Sequence, residues 1–217
     1  METCILNKSL CKQFKKGGVI MLHEIRKFEL GKLEGLSDNQ ISQHKDILYA
    51  GYVNKLNEIE DKLGTADRAK ANQIYSEYRG LKADETFALN GVVLHELYFE
   101  NLGGSGGNPT GRIAELINRD FGSSEKWIED FKACGMAVRG WVMLAYSLYD
   151  GKLHNYGADA HHNNYPAMAW PLVVMDVYEH AYTIDYGVKR PPYIETFMKN
   201  INWDTANKRL EKISKIV

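Results

Sequence analysis

Asp176 and His180 stand four residues apart in the run Asp176-Val177-Tyr178-Glu179-His180. On a helical turn that spacing puts a carboxylate and an imidazole on one side, where both can hold the same ion. The carboxylate follows the apolar run Pro171-Leu172-Val173-Val174-Met175. At the end of a buried strand it must be ion-paired, hydrogen-bonded or bound to metal. Two further histidines lie far upstream inside helical patterns. His44, beside Lys45 and Asp46, reads by itself as a surface histidine, and His95, after Gly91-Val92-Val93-Leu94, reads equally as a satisfied core residue. Together, three imidazoles and one carboxylate leave a coordination position open, as a catalytic metal site requires and a structural one avoids. A hydrolase is not supported, since Cys134 has no patterned histidine partner.

Elements must bring these four residues together. Ser37 is a good N-cap for a first long helix with Asp38 in its first turn. Ile41, Leu48, Tyr52, Leu56 and Ile59 then recur at roughly helical spacing, and Gly64-Thr65 ends the pattern. A second helix is predicted over 66–80 and a third over 84–102. The glycine-rich stretch 103–111 reads as a flexible break and a domain boundary. It lacks the Gly-Lys-Ser/Thr ending of a phosphate loop. Helices follow over 112–121 and 124–136. Runs 141–149 and 152–156 around Asp150-Gly151 predict a β-hairpin. A short buried strand over 171–175 leads into Asp176, and helices close the chain over 192–200 and 203–213. The expected fold is α+β: an N-terminal helical hairpin domain over 21–103, then an α/β domain over 104–217 with a small three-stranded antiparallel sheet.

The 217 residues are 44% hydrophobic and 25% charged, the balance of an ordinary globular protein. A net charge of −1 gives no reason to invoke nucleic acid or an anionic membrane, and no run is long and apolar enough to span a bilayer. Three cysteines without a CxxC pair point to a reducing, cytoplasmic setting. The polar head over 1–20 is a dubious or disordered segment. Lys15-Lys16-Gly17-Gly18-Val19 would be encoded by a purine-rich stretch resembling a ribosome-binding site, so translation is expected to begin at Met21. The intact mass of the native protein tests this.

Asp176-Val177-Tyr178-Glu179-His180-Ala181-Tyr182 resembles the signature of the iron/manganese superoxide dismutases, and the likeness runs from about Leu33 to Leu210. His44 precedes Tyr52-Val53 at the family's spacing. His95-Glu96-Leu97-Tyr98-Phe99-Glu100-Asn101 resembles the segment of the second ligand, and Asn202-Trp203-Asp204 the start of the C-terminal helix. The resemblance implies His44, His95, Asp176 and His180 as ligands of one iron or manganese per subunit. It implies superoxide as substrate, converted to oxygen and hydrogen peroxide. It makes Tyr52 the gateway tyrosine, hydrogen-bonded to a group that contacts the metal-bound water. Some members supply that group four residues before the second ligand, here Gly91, which cannot. Others supply it fifteen residues before the aspartate ligand, here His161. Trp141, Phe99 and Tyr178 take pocket positions, and Arg190 a basic position near the substrate funnel. Glu179 is implied as a bridge to the partner's His180 across a homodimer, which in some members pairs into a tetramer.

Five positions depart from the family pattern. Leu48 and Thr183 occupy the positions of a His–Tyr pair that spans the family's dimer interface. Phe99, Met143 and Tyr178 replace pocket tryptophans, and only Trp141 remains. These changes motivate an alternative: a metal-binding protein on the same scaffold with little or no dismutase activity.

Overall fold

A computed structural model describes residues 23–213. The head over 1–20 and the proposed start at Met21 lie outside them. Ser37 sits in extended backbone and its hydroxyl accepts the Gln40 N–H at 3.1 Å, opening α1 (Asp38–Ser42). The helix runs on through a π-helical stretch, Gln43–Tyr49, into α2 (Ala50–Thr65). The wider π turn explains a spacing that a uniform α-helix cannot. Gln40, His44, Tyr49, Val53, Leu56, Ile59 and Leu63 are the buried positions, with a step of five between His44 and Tyr49. Leu48, which the sequence pattern places on the buried face, is therefore turned partly outward.

The helix expected over 66–80 does not form. Asp67 caps a single 3₁₀ turn, Arg68–Lys70. Asn72 Oδ1 accepts the Ile74 N–H at 2.8 Å, and the Asn72 N–H donates to Ser76 Oγ at 3.1 Å. Short polar side chains capture the backbone locally and compete with the helix. Nothing repays a helix here, because Ile74 and Tyr75 are more than four-fifths exposed. Ser76 then caps α3 (Glu77–Asn101), which starts seven residues earlier than the pattern suggested.

The glycine-rich segment is pinned rather than free: the N–H groups of Gly104 and Gly106 donate to Asn200 O and Ile201 O, both at 3.1 Å. A Cβ on Gly104 would collide with the Ile201–Asn202 backbone. Gly103-Gly104-Ser105-Gly106-Gly107 also has the spacing of a hydrolase nucleophile, but it follows a helix rather than a strand, and the serine is exposed.

Helices α4 (Gly111–Phe121) and α5 (Ser124–Ala137) precede the sheet. Strands β1 (Trp141–Ser147), β2 (Lys152–Ala158) and β3 (Ala169–Asp176) form an antiparallel sheet in the order β2-β1-β3. Trp141 pairs with Asp176 across β1 and β3, and the register slips between Leu144 and Ala145, opposite Pro171. Proline cannot donate to the ladder, so a bulge belongs there. A 3₁₀ turn, Glu179–Ala181, leads to α6 (Thr183–Tyr186), α7 (Arg190–Lys199) and α8 (Trp203–Ile213). Helix α3 packs on both α2 and β3, and α5 covers β1 and β2. Helix α3 thus packs against both the helix that carries His44 and the strand that ends in Asp176.

Candidate metal centre

Asp176 is the last residue of β3 and is fully buried. Its Oδ1 accepts the Tyr178 N–H at 2.9 Å, which fixes the carboxylate plane. Its Oδ2 faces three imidazoles: His180 Nε2 at 3.1 Å, His44 Nε2 at 3.2 Å and His95 Nε2 at 3.6 Å. One donor atom from each of the four residues can be chosen within 4.8 Å of all the others. Asp176 and His180 meet without sharing a helix. The aspartate ends a strand and the histidine sits on the 3₁₀ turn after it, which corrects the single helical turn expected for the pair.

His44 comes from the π-helical stretch and is buried, so its charged neighbours mislead: the helix turns Lys45 and Asp46 outward and His44 inward. His95 comes from α3 and donates from Nδ1 to Gly91 O at 2.5 Å, leaving Nε2 as the lone-pair nitrogen. That Nε2, like both ring nitrogens of His44, is buried without a hydrogen-bond partner. Lone pairs facing a buried carboxylate repel it unless a cation lies between. Ligands about 2.1 Å from one ion stand about 3.0–3.4 Å apart, close to the spacings found here. The donor set therefore fits a metal ion.

The electrostatics agree. Burial pushes the His44 and His95 imidazoles below their usual range, so both hold lone pairs at neutral pH. Burial alone would raise the Asp176 carboxyl, but His180 and His44 outweigh it and hold it well down. Asp176 in turn raises His180 against the effect of burial.

Beside this set stand His161 and Tyr52. Trp141 Nε1–H donates to His161 Nδ1 at 2.9 Å. An indole N–H can only donate, so in the neutral ring the proton sits on Nε2. That proton goes to Tyr52 Oη at 2.7 Å. Burial lowers His161 to about 4, which keeps the ring neutral. Phe99 lies with its ring 5.0 Å from that of His44, and Trp141 5.0 Å from His95. Tyr178 stacks on His180 at 5.2 Å, and Met143 is buried on β1 opposite Val174. Arg190 donates to Val138 O at 2.6 Å and Gly135 O at 3.3 Å, so its hydrogen bonds hold the end of α5. Glu179 is exposed.

Four supporting residues escaped the sequence reading. Gln40 donates from Nε2 to His180 O at 2.6 Å and accepts the Ile184 N–H at 3.0 Å, so the first-ligand helix holds the turn of the last ligand. Its signal was a glutamine one turn before His44. Tyr193 Oη donates to Asp176 O at 2.5 Å, and Tyr98 packs its ring 5.2 Å from His44. Phe87 meets His161 edge-on at 4.6 Å. Nothing local marks these three aromatics.

The comparisons with known proteins point the same way. A family model described as iron/manganese superoxide dismutases, C-terminal domain, matches residues 109–209. "Superoxide dismutase [Fe]" of Aquifex pyrophilus is 50% identical over 187 residues, covering 84% of this chain and 88% of that protein. "Superoxide dismutase [Fe]" of Cupriavidus metallidurans is 41% identical, covering 87% of this chain and 96% of its own length. "Superoxide dismutase [Mn] 1" of Halobacterium salinarum is 32% identical, over 82% and 88%. With identities this high across nearly the whole length, and with the three imidazoles gathered on one carboxylate, the chain belongs to the iron/manganese superoxide dismutase family.

Proposed function

We propose that this protein is a superoxide dismutase holding one iron or manganese ion through His44, His95, Asp176 and His180. The observation that carries this is the convergence of three Nε2 atoms on Asp176 Oδ2, at 3.1, 3.2 and 3.6 Å. The ion supplies one-electron cycling between its 3+ and 2+ states, so that one superoxide leaves as oxygen and the next, with two protons, as hydrogen peroxide. The chain's own residues do the rest. Three neutral imidazoles and one carboxylate put a single negative charge around the ion and leave a position open. Two polar groups beside the ligand set, His161 and Tyr52, are hydrogen-bonded to each other. Because His161 Nε2–H is the donor in their bond, the Tyr52 hydroxyl proton is free for another acceptor. Burial, reinforced by Asp176, raises the Tyr52 phenol above its usual range. It therefore stays protonated at neutral pH, a proton source and not an anion that would repel superoxide. Zinc has no such cycle, and a zinc-filled copy is inactive.

The protein works as a homodimer in the cytoplasm, its α-hairpin and α/β halves meeting at about residue 103. A cleft of about 430 Å³ lined by Ile47, Leu48, Thr183 and Ile184 opens beside His44 and His180, and supports a second copy covering this face. Exposed Glu179 then reaches the partner subunit's His180. Glu179→Ala is expected to weaken the dimer and metal retention together; an unchanged elution volume and metal content would exclude the bridge. Arg190 steers substrate by charge, its hydrogen bonds being engaged elsewhere. The odd cysteine count supports the reducing compartment. No helix among the described residues is long and apolar enough to cross a membrane.

The decisive experiment loads the purified protein separately with iron and with manganese, then measures metal content by mass spectrometry and dismutase activity on the same samples. About one ion per chain with high activity for either metal is expected. Full loading with negligible activity for both would leave only metal binding.

A further inference from the structure

We propose that Gln40 is a positioning residue for His180: its carboxamide is built into the backbone of the His180 turn and sets where that imidazole points. The inference rests on the reading of His44 and His180 as metal ligands for its consequence, while the hydrogen bonds that carry it involve no ion. Gln40 is fully buried in α1, one turn before His44. Buried helix positions of this kind ordinarily take an apolar residue. An amide there costs free energy unless both of its ends are paired, so its partners are the reason for it.

In a continuous α-helix the Ile184 N–H would donate to His180 O, four residues back. Here the glutamine takes both groups. Its Nε2 donates to His180 O at 2.6 Å, and its Oε1 accepts the Ile184 N–H at 3.0 Å. A carbonyl can only accept and a backbone N–H can only donate, so the orientation of the amide is fixed. The neighbouring backbone bonds stop on either side of it. The Ala181 and Tyr182 N–H groups close the 3₁₀ turn onto Tyr178 O and Glu179 O, and the Asp185 and Tyr186 N–H groups begin α6 on Tyr182 O. Between them Tyr182 has a φ of −146°, far from the helical value. The carboxamide thus completes the end of one turn and the start of the next helix and keeps the two from joining, as an inserted side chain does at a helix bend. His180 sits at that bend. Because Gln40 and His44 are four apart, one face of the first-ligand helix meets both the backbone and the ring of His180, whose ring lies 4.9 Å from that of His44. Ser37 secures the same contact: its N–H donates to Asp185 Oδ2 at 2.7 Å while its hydroxyl accepts the Gln40 N–H. An apolar side chain at 40 would leave His180 O and the Ile184 N–H with only each other to pair with. That pairing winds 180–184 into helix and carries the His180 ring away from Asp176 Oδ2, which it now meets at 3.1 Å.

The test is Gln40→Met, which keeps the volume and removes both hydrogen bonds, beside Ile117→Val, a change to a buried residue of α4 that touches no ligand. In a crystal structure of metal-free Gln40→Met the Ile184 N to His180 O distance should close to about 3.2 Å or less, and the His180 ring should move by more than about 0.5 Å relative to His44. Competition with a chelator should show iron and manganese bound about tenfold more weakly, the scale of losing a group that orients a ligand. The electron paramagnetic resonance spectrum of the ferric protein should change shape. Ile117→Val should leave the affinity and the spectrum as they are. A His180 ring that stays in place, or an affinity loss matched by Ile117→Val, overturns the proposal. If Gln40→Met does not fold, Gln40→Asn carries an amide one methylene too short to hold both groups and should show the same displacement and weaker binding; wild-type values in it count equally against the role. Wild-type protein that binds neither metal would sink the metal reading, and the ring displacement in the metal-free variant would still be measured.

Discussion

The two oxygens of Asp176 have separate duties. Oδ1 is tied to the Tyr178 N–H, so Oδ2 is held toward the histidines and cannot rotate away. The same economy fixes His161, whose tautomer follows from one indole donor. Trp141→Phe removes that donor and leaves the buried Nδ1 unpaired. Dismutase activity should fall about 10–100-fold, with the metal still bound. Parallel activity and metal assays would show an unchanged rate if the indole is mere packing. Acid is the second residue-scale test. His44, His95 and His161 all have folded values below the unfolded value of about 6.5, each mainly through burial. On acidification the unfolded chain binds protons that these folded rings refuse, so stability is full above about pH 6.5 and falls toward about pH 4. His180, raised by Asp176, runs the opposite way, losing its contribution as pH rises through its folded value, but it is one ring against three. Urea midpoints of the metal-free protein should drop from about pH 7 to about pH 5; a flat or rising midpoint contradicts this.

At the scale of elements, the four candidate ligands belong to four different kinds of backbone. A π turn, the interior of an α-helix, the end of a strand and a 3₁₀ turn each present one side chain to the same point. Helix α3 must therefore sit firmly against β3. Asn101, at its end, does this with one side chain: Oδ1 accepts the Val174 N–H at 2.9 Å and the Arg209 guanidinium at 2.7 Å, joining α3, β3 and α8. Arg209 is buried and also reaches Glu100 Oε2 at 2.9 Å and Leu97 O at 2.8 Å. Asn101→Ala leaves a buried N–H and part of a buried guanidinium without an acceptor, at a cost of about 1–3 kcal/mol. Denaturant unfolding of the metal-free variant would measure it, and a loss below about 0.5 kcal/mol would argue that water replaces the amide. Hairpin length shows the reverse case. The stretch 66–76 could not become helix because its Asp67, Asn72 and Ser76 side chains bind backbone nearby and its apolar residues find no core.

For the whole molecule, the candidate metal centre joins segments far apart in the chain. His44 and His95 come from the long helices early in the chain, and Asp176 and His180 from the end of β3 and the turn after it, so a bound ion would cross-link these segments. An ion that binds only the folded state stabilises it by about 2.7 kcal/mol at a hundredfold excess over Kd, which for a chain of this size is roughly 5–10 °C in Tm. Calorimetry before and after chelation should show that drop, with recovery on adding iron or manganese. An unchanged Tm would mean that the four donors are already satisfied without metal.

Much of this was legible in the residues. The Ser37 cap, the Asp150-Gly151 hairpin, the apolar strand before Asp176 and the order of the four ligands are local or periodic signals, and each depends on interactions within a few residues. The resemblance supplied His161 and Tyr52, which local sequence reads as a polar loop residue and a helix aromatic. What only the tertiary structure decided depends on atoms far apart in the chain. His44 is buried because a π turn shifts its phase, and Gln40 matters because the turn of His180 lies against it. Burial and steric fit are set by which surfaces meet, and a linear pattern carries no record of the partner surface.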